Sequence, residues 1–276
     1  MAFFEKGIIM KTQELAKKIR EDCLIATNMA KSSHIGSMLS IADLVAVLYG
    51  EILRRNKNDA VPFYDKFILS KGHAGCAVFS ALAELGIVDK KELLETYFQN
   101  GSKFSGHVSS HNIPGVELST GTLGHGICVA DGLALARKLD QSDSRVFTIV
   151  GDGELNEGSV WEAVMFAASQ KLDNLTIIVD KNNYQLMGKT QDISPADNLD
   201  ERFSAFGCET MVIDGHNHDE IKKALTHKPN GKPLVVIANT IKGKGVSFME
   251  NNNSYHGKTV SDELLPQALK EVREAK

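Results

Sequence analysis

The feature that most constrains this chain is a series of short Val- and Ile-rich runs set between longer helical stretches. The runs cover residues 67–69, 146–150, 175–179, 211–213 and 234–238, and most do not alternate with polar residues. A strand with one wet face alternates. A strand buried on both faces does not, and such strands belong to parallel sheets covered on both sides. Between the runs, the pattern predicts helices over 12–30, 41–53, 74–85, 126–139, 160–170 and 220–225. Alternating strands and helices predict an α/β fold of three layers, a mostly parallel sheet with helices on both faces. No repeat and no Pro/Ser-rich linker interrupts the 276 residues, which read as one domain spanning 1–276.

Composition narrows the function classes. The formal net charge is −4, so there is no basic excess to neutralise nucleic-acid phosphates or an acidic membrane. Cys23, Cys76, Cys128 and Cys208 have neither metal-ligand nor CxxC spacing and read as free, mostly buried thiols of a reducing compartment. The N-terminus lacks a signal-peptide pattern, and no window reaches the roughly 18 apolar residues of a membrane span. A cytoplasmic protein is expected.

Two segments, 99–124 and 186–198, are polar and break the alternation; inside an α/β domain such segments tend to be functional loops. Another clue is GDG at 151–153, followed by Asn182-Asn183 about thirty residues later. The stretch between reads as a helix and a strand, so both motifs should end parallel strands on the edge where α/β sheets bind ligands. Asp152 and Asn182 would then face one crevice with hard oxygen ligands, suited to Mg²⁺ or Ca²⁺. Gly153 leaves room for a diphosphate to reach backbone amides. A GDG alone is a common turn, and Asp180 could be an ordinary strand-end cap.

Five blocks in order extend the pattern: SSHIGSMLSIADLVAVLY (32–49), ILSKGHAGCAVFSAL (68–82), GSKFSGHVSSHNIPGVELSTGTLGHGICVADGLALA (101–136), GDGELNEGSVWEA (151–163) and NTIKGKGVSFMENNNSYHGK (239–258). The GDG…N spacing resembles the thiamin-diphosphate motif. Together the blocks resemble the N-terminal, diphosphate-binding part of transketolase, over nearly the whole chain. The resemblance implies Mg²⁺ ligands from Asp152, Asn182 and the carbonyl of Tyr184. It implies that Gly153 and His73 contact the diphosphate, and that Gly121, Leu123 and Gly124 help form the thiazolium and pyrimidine pocket. By the same resemblance His34 and His107 line the substrate channel, and His256 lies between diphosphate and substrate. Lys242 or Lys244 would face the diphosphate or close a loop over it. Glu157 would join a carboxylate network between subunits; it could equally be a first-turn helix carboxylate. His111, His216, His218 and His227 stand outside the motif positions and read as surface or loop residues. His125 occupies a position where many family members carry Gln.

The family's activating glutamate and its substrate-phosphate anchors lie in parts with no counterpart here. Two explanations fit, one subunit of a split enzyme or a fragment; a split enzyme is expected, in which a second chain brings the pyrimidine-binding and C-terminal domains, as a heterotetramer of two plus two. The reaction implied is transfer of a two-carbon ketol unit from a ketose phosphate to an aldose phosphate. Alternatives are a transketolase-like enzyme for a branched or sulfonated sugar, a 2-oxoacid dehydrogenase α-type subunit, and a non-catalytic cofactor-binding module.

Overall fold

The computed structural model describes residues 10–56, 61–194 and 197–275. Five strands form one wholly parallel sheet: β1 (Lys66–Leu69), β2 (Val146–Gly151), β3 (Leu175–Lys181), β4 (Glu209–Asp214) and β5 (Leu234–Asn239). Their order is β1-β2-β3-β5-β4, so β5 is inserted between its two predecessors. The three inner strands are buried almost throughout, as continuous apolar runs require. The edge strand β4 departs from that expectation. Its residues are mostly half-exposed or exposed, with Val212 open to solvent.

Alternate residues of β1, β2, β3 and β5 feed two separate cores, while β4 packs against only one of them. Phe147, Ile149, Ile178 and Val236 face one core, built with α1 (Thr12–Ala30), α2 (Ile35–Ser40), α3 (Ala42–Val47), α4 (Gly75–Glu84), α10 (His218–Thr226) and α11 (Leu265–Glu274). Val146, Val150, Ile177, Val179 and Ile237 face the other, built with α6 (His125–Leu139), α7 (Gly158–Ser169) and α9 (Leu199–Ala205). This is the period-2 geometry of a strand sandwiched between helical layers. Two short helices, α5 (Lys90–Thr96) and α8 (Thr190–Ile193), complete the set. No described helix is long and apolar enough to cross a membrane.

Local chemistry sets the helix ends. Asp89 caps α5 by accepting from the Glu92 amide, and Asn217 caps α10 by accepting from Asp219 and Glu220. The helix expected over 41–53 is present as α3 followed directly by a π-helical turn, Leu48–Ile52; a further short helix that the pattern did not predict, α2, precedes it and ends at Ile41 (φ −96°, ψ 1°). That end follows Ser40, whose hydroxyl reaches Asp180 at 2.8 Å. The polar segment 99–124 contains no helix or strand up to His125.

Candidate active site

The carboxyl ends of β1, β2, β3 and β5 lie side by side, and every candidate residue but those of the 101–125 segment, His34 and His256 follows one of them. At the centre is Asp180, fully buried at the end of β3. It meets Lys71, from the end of β1, at 2.5 Å; both side chains are almost wholly enclosed. Asp180 also accepts from Ser40 Oγ and Asn182 Nδ2, each at 2.8 Å, and from Thr240 Oγ1. Burial alone would raise its carboxyl, but the Lys71 charge and these hydrogen bonds hold it below the usual carboxylate range. Because Asn182 gives its Nδ2 to Asp180, its Oδ1 is turned away, where it accepts from the Tyr184 amide at 3.1 Å.

Asp152 has a different environment. It is 2% exposed, and its donors are neutral: the amides of Gly153 (2.9 Å) and Asn183 (2.7 Å) and Thr190 Oγ1 (3.1 Å). Burial, helped by the nearby Asp180 charge, pushes its carboxyl up to about 6. Among the described residues no Lys, Arg or His forms an ion pair with it. A buried carboxylate left so is complementary to a cation. No three His, Cys, Asp or Glu side chains converge as a metal cage among the described residues. A metal here would therefore be completed by amide, carbonyl and ligand oxygens, the donor set of a metal-bridged diphosphate.

Four imidazoles gather beside these strand ends. His34 lies 5.2 Å from His73, 5.5 Å from His107 and 5.2 Å from His256, ring centre to ring centre; His73 and His256 are 5.7 Å apart. His34 adopts φ 73°, an uncommon conformation for a non-glycine residue. Its amide donates to the His256 carbonyl at 2.8 Å, which ties the two loops together. Burial and the neighbouring charges push His34 down to about 4 and His256 to about 3, and hold His73 well below its ordinary range. At neutral pH the three are uncharged and offer one donor and one acceptor each.

Lys242 joins this cluster. It is 1% exposed, with Nζ 2.9 Å from His256 Nδ1 and 3.1 Å from Asn253 Oδ1. Burial and the Lys71 charge lower it to about 8. Lys244 points elsewhere, with its ammonium 3.8 Å from Glu250. The structure thus separates two lysines that the sequence left equivalent, and only Lys242 is brought to the imidazoles.

Two glycines keep the crevice open. Gly124 has φ 79°, and a Cβ there would come 2.3 Å from Ser159 Oγ. A Cβ on Gly153 would come 2.8 Å from Gln185. Gly121 lies against the His107 ring, and with Thr120 and His125 it borders a cavity of about 600 Å³. Leu123, half-buried, places its carbonyl 3.3 Å from His125 Nδ1.

Glu157 is exposed at the start of α7, beside Gly124. The buried carboxylate of that block is Glu154, which accepts from Ser70 Oγ (2.6 Å), the Gly124 amide (2.8 Å) and the Gly151 amide (3.1 Å). Sequence reasoning passed over Glu154, and also Lys71, although both lie in the quoted blocks. Asp180 is more than a strand-end cap, since it joins β1, α2 and β5. His216 and His218 are not surface residues: both bond the buried Asp43, with side chains 13% and 10% exposed. His111 and His227 are exposed.

Comparison with known proteins agrees with this geometry. The family described as "Transketolase, thiamine diphosphate binding domain" matches residues 11–273. Among similar proteins, an apulose-4-phosphate transketolase subunit of Actinobacillus succinogenes is 42% identical over 95% of this chain and 96% of its own length. The 6-deoxy-6-sulfo-D-fructose transketolase subunit SqwG of Clostridium sp. is 38% identical over 94% of this chain and 95% of its own. The crystal structure of transketolase from Campylobacter jejuni superposes with a TM-score of 0.87 at 32% identity, over 95% of this chain but 42% of that one. Against transketolases of that kind the chain spans about two-fifths of their length, whereas it matches the two named subunits end to end. The chain belongs to the transketolase family, in the thiamin-diphosphate-binding part that those two relatives carry as a separate subunit.

Proposed function

We propose that this chain carries the diphosphate- and metal-binding half of a two-carbon ketol transferase working in the cytoplasm. A second chain brings the pyrimidine-binding and C-terminal domains in a heterotetramer of two plus two. The observation that carries the reading is the joining of four imidazoles and Lys242 to the strand ends that hold Asp152 and Asn182.

In this reading Asp152, Asn182 Oδ1 and the Tyr184 carbonyl hold Mg²⁺, with Ca²⁺ as a substitute. Lys242, His73 and the Gly153 backbone meet the diphosphate, while Gly121, Leu123 and Gly124 line the ring pocket. Thiamin diphosphate supplies, when bound, a carbanion equivalent and an electron sink. The protein's part is placement and proton handling. His34, His107 and His256 hydrogen-bond sugar hydroxyls and oxyanions as charge moves. Lys71 and Asp180 hold the two strand ends in register, and Glu154 fixes the Gly124 turn. Glu157, exposed beside that turn, would meet the second subunit.

The names of the two relatives favour a second reading for the substrate, a branched or sulfonated sugar in place of an ordinary ketose phosphate. One assay separates these readings. The chain is mixed with the product of a neighbouring transketolase C-terminal reading frame, thiamin diphosphate and Mg²⁺. Xylulose 5-phosphate, a branched pentulose phosphate and a sulfonated ketose are offered in turn. Turnover only in the mixture, lost in Asp152→Ala, supports the split enzyme, and the preferred ketose identifies its class. A mixture that assembles and binds cofactor but turns over none of the three would leave a binding module.

A further inference from the structure

A buried carboxylate outside the crevice holds the loop that carries Lys242. Asp43, on α3, is 6% exposed and bonds four groups. Arg20 donates from Nη1 to Oδ1 at 3.1 Å and from Nη2 to Oδ2 at 2.5 Å. His216 Nδ1 lies 2.7 Å from Oδ2 and His218 Nε2 lies 3.1 Å from Oδ1. An ionised carboxylate only accepts, so all four are donors.

The same partners reach the loop backbone. The Ile241 amide donates to His216 Nε2 at 2.8 Å. A backbone N–H has no other role, so Nε2 is the bare nitrogen and Nδ1 carries the proton given to Asp43. Arg20 Nε donates to the Lys244 carbonyl at 3.1 Å. One carboxylate thus governs two grips on the backbone, one on each side of Lys242. A third tie runs from the Gly243 amide to the Gly36 carbonyl at 2.9 Å, in the helix that begins directly after His34.

Lys242 needs such support. A lysine side chain has large rotamer freedom, and a buried one is usually pinned by a carboxylate. Lys71 has Asp180. Lys242 has Asn253 and His256 as its hydrogen-bond partners and the Tyr184 ring 5.8 Å from its ammonium, and among the described residues no carboxylate forms an ion pair with it. We infer that Asp43, through His216 and Arg20, is a positioning residue for Lys242, holding its loop so that the amine stands at the imidazole cluster without a carboxylate of its own. Asp43, Arg20 and His216 act through the loop backbone and touch neither the imidazole cluster nor Asp152.

The test uses the full chain and two readouts. The first is the rate at which trace acetic anhydride acylates Lys242, measured by peptide mass against Lys71 in the same sample. It needs no cofactor and does not depend on the proposed function. His216→Phe removes the acceptor for Ile241 while filling the space. It should raise the Lys242 rate about fivefold or more and leave Lys71 within about twofold, as expected when one buried backbone tie is lost. His216→Gln keeps one donor and one acceptor and should restore the native ratio. Asp43→Asn sets an amide N–H against donors on one side, whichever way it is turned, and should behave like His216→Phe. A parallel rise at Lys71 and Lys242 would reduce the network to general stability and overturn the inference; so would an unchanged Lys242 rate in His216→Phe.

The second readout rests on the proposed role of Lys242 toward the diphosphate. Thiamin diphosphate binding with Mg²⁺ should weaken about tenfold in His216→Phe and recover in His216→Gln. If the native chain bound no cofactor while the labelling ratio still shifted, the cofactor role of Lys242 would fall and the positioning role would stand.

Discussion

Lys71 and Lys242 are both buried lysines that follow strands of one sheet, yet they are compensated in opposite ways. Lys71 meets Asp180 at 2.5 Å, and that carboxylate is saturated by Ser40, Thr240 and Asn182. The charge is balanced within the fold, and the pair acts as a bolt between β1 and β3. Lys242 has only neutral hydrogen-bond partners among the described residues, Asn253 and His256, and burial and the Lys71 charge lower it to about 8. Asp152 mirrors it, a buried carboxylate with neutral donors pushed up to about 6. One positive and one negative group are left without an ion-pair partner at the same crevice and are offset only through space, a pattern that the proposed metal–diphosphate would complement. Structural charges pair with each other, and binding charges wait for a ligand.

The largest way to break this contrast is Asp180→Asn. It leaves Lys71 buried without its counterion and should cost about 3 kcal/mol of stability, read as a lower denaturant midpoint. If the variant is as stable as the native chain, the pair is no bolt. Lys242→Met should act in the opposite direction on the unliganded chain. Removing a desolvated charge should raise stability by about 1 kcal/mol, while thiamin diphosphate binding weakens about tenfold or more. Loss of stability together with loss of binding would erase the distinction between the two lysines.

Proton linkage sharpens it further. Lys242 falls from its ordinary 10.5 to about 8 on folding. Between those values the unfolded chain holds more protons, so the penalty is fully present below pH 8 and fades as pH rises toward 10.5. Diphosphate binding runs the other way, because the anion needs the ammonium form. Apparent cofactor affinity should fall as pH climbs above about 8, approaching tenfold per unit, and a Lys242→Arg chain that still binds should lack this fall. The smallest effect expected is at His125, exposed, with its ring against the nearby Leu123 carbonyl. His125→Gln should change cofactor affinity by less than about twofold, measured by calorimetry.

Much of the sheet was legible because burial on both faces leaves apolar runs, and all five runs became strands. The edge strand was the weak case: β4 has half-exposed faces, which the run at 211–213 does not reveal. The helix expected over 41–53 kept its limits, but the pattern revealed neither its π-helical end nor the short α2 before it, whose last residue, Ser40, bonds Asp180 140 positions away. Among the site residues, GDG and Asn182 declared themselves by their spacing at strand ends. Glu154 lay three residues before Glu157 with nothing to say which one turned inward. His216 and His218 read as surface or loop residues, and their burial against Asp43 was not legible, because Asp43 lies far from them in sequence.

What the sequence determined by itself was the kind of fold, the family and some of the residues that gather at the sheet's carboxyl edge. Hydrophobic period, turn chemistry and motif spacing are local properties, readable along the chain. Which charges pair and which stay open was decided only in three dimensions. Lys71 and Asp180 are separated by 109 positions, and Asp43 and His216 by 173. Electrostatics depends on distance through space, and the fold alone sets that distance for residues so far apart in the chain.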